Sequence, residues 1–205
     1  MKTKNIILII AATLVLVVVF INLNNNTTSA DYANTIEKER KEKDDFMRNS
    51  SESPFTDSAS TFTGLKYFPP NEKYRIIAQL KPIENKKTIQ LTTNDGEQKT
   101  YLEYALAEFS IDNKESSLLI LEMIEMGPFR GTLFLAFADG TSANETYGAG
   151  RYLDIKKVPG STSITLDFNK AYNPYCAYTD KFSCPFPPSQ NLLDIPILAG
   201  EKRYR

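Results

Sequence analysis

From Pro54 onward the chain is cut at short intervals by turn signals, and the pieces between them have the length of β-strands. Tyr74–Leu80 alternates apolar residues. Thr88–Thr93 and Gln98–Tyr104 flank Asn94-Asp95-Gly96, a strong hairpin signal. Leu106–Ile111 and Ser117–Ile124 flank Asp112-Asn113, a second hairpin candidate. Thr132–Phe137 is a continuous apolar run ended by Asp139-Gly140, and Tyr152–Val158 and Ser163–Phe168 flank Pro159-Gly160, a third hairpin candidate. Short strands at this spacing predict a mainly β domain, an antiparallel sandwich or barrel-like sheet. No internal repeat is visible.

The other end of the chain is different in kind. Lys2 and Lys4 precede about sixteen residues, Ile6–Ile21, that are apolar apart from Thr13. The run is long for a signal-peptide core, and the polar Asn22–Asn26 separates it from the small residues Thr28 and Ala30. An uncleaved signal anchor over residues 1–23 is therefore favoured over a cleaved signal. No cysteine follows the run, which excludes a lipidated N-terminus. The positive-inside rule keeps Lys2 and Lys4 in the cytoplasm and exports the domain as a single-pass membrane protein. The alternative, after cleavage, is a secreted or periplasmic domain. Residues 24–50 follow as a polar spacer and a charged helix, Thr35–Arg48, with Glu37 spaced to meet Arg40 or Lys41. Its sparse apolar residues, Ile36, Phe46 and Met47, predict docking by the C-terminal end alone. The globular domain is residues 51–205. With 24 basic and 25 acidic residues, two of the basic ones before the anchor, the exported body is mildly acidic and offers no drive toward nucleic acid. The membrane is the one expected partner besides a small molecule, and no protein partner is indicated.

There is no histidine. That excludes Ser-His-Asp and Cys-His nucleophiles, His-Glu-x-x-His proteases and His-ligated metals. Specified residues concentrate in Thr146–Glu201. Gly148 and Gly150 predict a tight turn, and Arg151 after it could hold a carboxylate or phosphate in a bidentate fork. The competing reading pairs Arg151 internally with Asp154, Asp167 or Glu201. The glycines are no dinucleotide fingerprint, the residues after Asp139 form no calcium loop, and no cofactor or metal is called for. Cys176 and Cys184, close in an exported domain, are read first as a disulfide, with reactive thiols, a metal pair and inert thiols as alternatives. Phe62–Pro70, FTGLKYFPP, is read as an aromatic plug closing one end of the sheet, against a ligand-facing wall.

In order along the chain come Phe46-Met47-Arg48 with Ser53-Pro54; Phe62, Gly64-Leu65 and Tyr67-Phe68-Pro69; Thr146–Tyr152; and Asp167–Pro174. After them come Cys176-Ala177-Tyr178, Cys184-Pro185, Pro187-Pro188 with Asn191, and Ala199-Gly200-Glu201. With these motifs the chain, from about Phe46 to Glu201, resembles the family catalogued as domain of unknown function 1684. The resemblance implies no activity. It implies bacterial and archaeal relatives, some exported and some not, with the cysteine pair in both settings, which weakens a purely structural disulfide. Two departures stand out: Ala143-Asn144 where a glycine is expected, and Leu192 where an arginine is expected, the latter leaving an anion more dependent on Arg151. The sequence thus points to a membrane-anchored extracytoplasmic domain binding a small polar or anionic ligand. Arg151 would be the anchor, Asp167, Asn169 and Asn173 polar walls, Tyr147, Tyr172 and Tyr178 aromatic faces, and Glu201 a further lining residue. The alternatives are an envelope structural or interaction module, or a His-free enzyme using Cys176 or an Asp167/Glu201 acid–base pair.

Overall fold

The structure, a computed structural model, describes residues 29–56, 62–125 and 127–205. The expected membrane anchor, residues 1–23, lies outside them. Among the described residues no helix is long and apolar enough to cross a membrane. The chain divides into two compact units, residues 1–40 and 41–205. Helix α1, residues 29–49, starts in the first unit and ends in the second. It begins earlier than the expected Thr35, because Thr35 turns its hydroxyl back onto the Asp31 carbonyl at 2.9 Å instead of capping the helix. Glu37 pairs with Arg40 at 3.1 Å, one turn apart. In the second unit Met47 is buried against Phe55, Phe62 and Tyr178, while Phe46 faces outward.

Seven strands make one antiparallel sheet: β1 (Arg75–Pro82), β2 (Thr88–Thr92), β3 (Gln98–Ile111), β4 (Lys114–Met123), β5 (Leu133–Phe137), β6 (Arg151–Ile155) and β7 (Ser163–Asp167). Their order is β6-β5-β4-β3-β1-β7, with β2 paired to β3 off this path. The sheet curls into a half-barrel. Two expected hairpins form as read. Around Asp112-Asn113 both residues take positive φ, 51° and 62°, the left-handed pair that lets a two-residue turn follow the strand twist. Around Asn94–Gly96 a three-residue turn closes, with the Gly96 amide on the Thr93 carbonyl at 3.0 Å.

Two expectations need correction. Gln98–Tyr104 and Leu106–Ile111 are one 14-residue strand, not two, because the register shift at Tyr104 is a bulge that bends β3 without ending it. The third hairpin does not exist: β6 pairs with β5 and β7 pairs with β1, at opposite edges of the sheet. Pro159-Gly160 therefore turns a connection between the two edges, which the curl brings near each other without pairing.

Alternation on the central strands explains the continuous apolar run of β5. Leu133, Leu135 and Phe137 enter the large inner core, while Phe134 and Ala136 face a second cluster with Tyr101, Tyr152 and Cys184. Both faces are covered, so both face sets are apolar. The inner core is filled from the C-terminal segment, where Leu193, Ile195, Ile197 and Ala199 point in and Leu192, Asp194, Pro196 and Leu198 point out. On the other face Cys184–Phe186 covers the edge strand β2: the Phe186 amide reaches the Thr92 carbonyl at 2.9 Å, and the Asn94 amide reaches the Cys184 carbonyl at 3.2 Å.

One side chain completes the sheet. β4 and β5 pair at Leu121–Phe134 and Glu122–Leu133 only. The next pair, Leu119 and Ala136, is bridged by the Asn191 amide. Its Oδ1 accepts from the Leu119 amide at 2.6 Å, and its Nδ2 donates to the Leu119 and Ala136 carbonyls at 2.9 and 2.8 Å. Asn191 is fully buried, so removing it strands three backbone groups out of water. Each such group costs about 1–3 kcal/mol. Asn191→Ala should lower unfolding free energy by about 3 kcal/mol or more, read from a denaturant midpoint that falls at unchanged slope.

Candidate functional site

The densest polar cluster sits where β6 begins. Phe137 ends β5, and the chain turns through Asp139–Gly150 before re-entering as Arg151. Gly150 has φ 87°, and a Cβ there would lie 2.5 Å from the Phe137 carbonyl oxygen, so this turn closes only on glycine. Gly148 behaves differently: it has no positive φ and faces an outside cleft.

Arg151 is fully buried. Its Nη2 donates to Asp139 Oδ2 at 2.8 Å and to the Ile197 carbonyl at 3.1 Å; its Nη1 donates to the Ala199 carbonyl and, at 3.3 Å, to that of Glu201. Carbonyls two residues apart lie on one edge of an extended chain. The guanidinium therefore reads the edge of Ile197–Glu201 as a neighbouring strand would. Asp139 extends the same frame: its Oδ1 accepts from the Ile197 amide at 3.2 Å and from Thr141 at both the amide and the hydroxyl. Burial pulls the Arg151 pKa down, and the charges of Asp139 and Glu201 oppose that shift. Arg151 thus opens to no solvent and holds its own chain, so the expected anion anchor is corrected to a folding clamp. Its carboxylate partner is Asp139, not Asp154, Asp167 or Glu201.

Glu201 centres a second cluster and is also fully buried. Its Oε1 accepts from the Tyr178 hydroxyl and from Asn173 Nδ2 at 2.8 Å, and its Oε2 from the Asn173 amide and Lys43 Nζ, each at 3.3 Å. Burial, then the Glu201 charge, pushes the Tyr178 phenol well above its ordinary pKa, so Tyr178 stays a neutral donor. Lys43 also stands over the Tyr172 ring at 4.4 Å. Tyr172 itself spends its hydroxyl on Asp154 at 2.8 Å.

Asp167 and Asn169 form a separate network. Asn169 exchanges two 2.8 Å hydrogen bonds with the Asn71 backbone, and Asp167 Oδ1 accepts from the Asn169 amide. They tie the start of β1 to the end of β7. Asp167 Oδ1 is thus engaged by Asn169, whereas the Glu201 carboxylate is engaged by Tyr178, Asn173 and Lys43.

Of the eight expected lining residues, Tyr147 borders an open cleft among the described residues. This cleft, about 360 Å³, is lined by Ala143, Tyr147, Gly148, Ala177, Arg203, Tyr204 and Arg205. Behind it the Tyr147 hydroxyl lies 3.9 Å from Cys176 Sγ, and burial with the neighbouring Cys176 pushes the phenol up to about 12. Cys176 and Cys184 sit side by side as free thiols, with the Cys176 amide donating to Cys184 Sγ at 3.3 Å. No group of three or more acidic or cysteine side chains could hold a metal among the described residues. The aromatic run Phe62–Pro70 packs inward: Phe62 joins Phe55, Tyr178 and Tyr204, and Phe68 is buried. Asp139, Arg203 and Arg205 were not singled out from the sequence. Asp139-Gly140 reads there as a plain turn, and the terminal arginines carry no pattern.

Both departures from the expected pattern acquire a physical reading. Ala143 has φ 65°, the left-handed region that favours glycine. Leu192 is 58% exposed, so its missing charge is a surface matter and takes nothing from the Arg151 cluster. A non-glycine residue in the left-handed region costs about 1–2 kcal/mol. Ala143→Gly should therefore stabilise by about 1 kcal/mol, raising Tm by about 2–4 °C for a chain of this size, read by calorimetry. Asp139→Asn should act oppositely, because a buried guanidinium left without its carboxylate costs about 3–5 kcal/mol. Loss of a cooperative thermal transition or a deep fall in Tm is the expected readout.

The comparisons with known proteins agree with this architecture. A solution NMR structure of an uncharacterized protein of Haloarcula marismortui is 34% identical, covering 86% of this chain and 97% of that one, with a TM-score of 0.64. No curated protein matches the chain. The family model described as "Protein of unknown function (DUF1684)" matches residues 60–202, which takes in the sheet, the Arg151 clamp, Glu201 with Asn173 and Tyr178, and both cysteines, and the chain belongs to that family.

Proposed function

We propose that this protein is a membrane-tethered, extracytoplasmic binding domain that takes a small anion in the cleft beside Tyr147. The tether is the apolar run Ile6–Ile21 behind Lys2 and Lys4. The observation that carries the binding reading is the composition of the cleft. Arg203 and Arg205 are both exposed at its lining, together with Tyr147 and the small residues Ala143, Gly148 and Ala177. Arg205 is held in place by a 3.1 Å bond to the Tyr178 carbonyl, so its remaining donors are oriented before a ligand arrives. Two guanidinium forks and a neutral phenol suit a phosphate or carboxylate. A volume of about 360 Å³ fits a small metabolite.

A second reading, an envelope structural or interaction module without a small ligand, is favoured by a different observation. Most of the motif side chains, Arg151, Asn169, Asn173, Tyr178, Asn191 and Glu201 among them, pair with their own chain. One experiment separates the two. The full chain is titrated with inorganic phosphate, citrate and a set of sugar phosphates at fixed ionic strength, by calorimetry and by thermal shift. Binding by at least one anion is expected, weakened about tenfold by Arg203→Ala or Arg205→Ala and lost in the double variant, with Tm of the free protein unchanged. No binding by any anion, or binding indifferent to the double variant, supports the module instead.

A further inference from the structure

The cysteine pair has a geometry that neither the clamp nor the cleft explains. Cys184 is held rigidly: its amide donates to Asn94 Oδ1 at 2.7 Å and its carbonyl accepts from the Asn94 amide at 3.2 Å, both in the turn between β2 and β3. Cys176 lies in the single 3-10 turn Tyr175–Ala177, which aims the Cys176 amide at Cys184 Sγ. Lys99, bonded through Nζ to the Ser183 carbonyl at 2.7 Å, adds positive charge beside Cys184. Cys176 is the more exposed of the two, with the Tyr147 hydroxyl against its sulfur; Cys184 is buried. A structural pair of thiols in an apolar core would lack these polar partners.

We propose that Cys176 and Cys184 form a redox-active dithiol that exchanges with low-molecular-weight disulfides, Cys176 attacking and Cys184 acting first as its base and then as its resolving sulfur. The division of labour follows from the environment. The bond from Cys176 and the backbone amides, helped by Lys99, outweigh burial and bring the Cys184 thiol down to about 7. The neighbouring Cys184 side chain, with burial added, pushes Cys176 up. Both shifts favour the proton on the accessible sulfur and the negative charge on the sheltered one.

The exchange balances as follows. Cys184 thiolate takes the Cys176 S–H proton while Cys176 sulfur bonds to one sulfur of RSSR, whose S–S bond breaks to release RS⁻. The Cys184 thiol passes that proton to RS⁻. Cys184 sulfur then attacks Cys176 sulfur, the Cys176–SR bond breaks, and a second RS⁻ leaves and takes a proton from solvent that replaces the one Cys184 had already given up. The dithiol is oxidised by two electrons and RSSR is reduced to two thiols. The loop closed by the new bond carries Tyr178, the donor to Glu201, and Ala177, a wall of the cleft. The exchange rests on none of the cleft arginines, so it stands or fails independently of anion binding.

The test equilibrates the full chain in graded mixtures of reduced and oxidised glutathione, quenches in acid and counts thiols by mass after alkylation. One transition from two thiols to none, with no glutathione retained, is expected, and it reverses on returning to reduced glutathione. In Cys184→Ser, a glutathione adduct on Cys176 should form about tenfold more slowly at pH 7.5 and then persist. Cys176→Ser should accumulate little adduct. Two thiols surviving excess oxidised glutathione, adducts on both cysteines of the native chain, or a bond that reduced glutathione never reopens in the folded protein would each overturn the proposal. Should either variant fail to fold, the thiol count on the native chain decides alone.

Discussion

The half-barrel depends on one buried cation. A sheet of this order has an open side, and the C-terminal segment must cross it to supply Leu193, Ile195, Ile197 and Ala199 to the core. An extended segment brings backbone groups with it, and buried carbonyls without partners are costly. Among the described residues none of the seven strands pairs with Ile197–Glu201. Arg151 takes the place of one, because a planar guanidinium can donate to several carbonyls at once where an ammonium would act as a single point. Its own charge then needs a counterion away from water, and Asp139 is placed to supply it 2.8 Å away. Each element of the frame is thus required by the one before it: the apolar segment requires the arginine, the arginine requires the aspartate, and the aspartate requires the glycine-closed turn between β5 and β6.

The Glu201 cluster carries the same logic to the end of the tail. Gly200 has φ 77° and no room for a side chain, since a Cβ there would lie 2.6 Å from the Phe168 carbonyl. The turn it permits drops Glu201 inside, among the donors of Asn173, Tyr178 and Lys43. A carboxylate so enclosed is stabilised by its donors and not by water. It links α1, the segment following the 3-10 turn that bears Cys176, and the tail. Movement of the cysteine loop is therefore felt at Glu201 through Tyr178, and at the cleft through Ala177. The two thiols and the cleft are joined by this mechanical connection and by Tyr147, which lines the cleft and sets its hydroxyl 3.9 Å from Cys176 Sγ.

Much of the fold was legible because hairpins are encoded locally. Asp112-Asn113 and Asn94–Gly96 announce their turns by residue type, and alternation announces the strands. The false third hairpin failed for an instructive reason: Pro159-Gly160 is a sound turn signal, but whether flanking strands pair with each other is decided by the curl of the whole sheet. The bulge at Tyr104 was hidden because an extra residue in a strand has no composition of its own. At the site, residue identity was legible and role was not. Arg151, Asn173, Tyr178 and Glu201 do gather with or beside one another, yet they face inward, and burial of a polar residue is set by the elements that cover it. Asp139 went unseen because its partner lies across a turn whose closure depends on Gly150.

A dense motif is therefore weak evidence for a reaction in this fold. An open sheet closed by an irregular tail needs specified glycines and buried polar partners at every crossing, and those requirements alone account for Gly150, Arg151, Asn191, Gly200 and Glu201. Such residues tolerate little change whatever the protein binds. Chemistry that can differ between relatives belongs where the frame meets solvent. The cleft fits that description: Tyr147 is inside the matched residues 60–202, whereas Arg203 and Arg205 follow them. The frame then supplies the Tyr147 phenol, and the charge presented beside it comes from Arg203 and Arg205 of the tail, whose guanidinium groups lie at the surface.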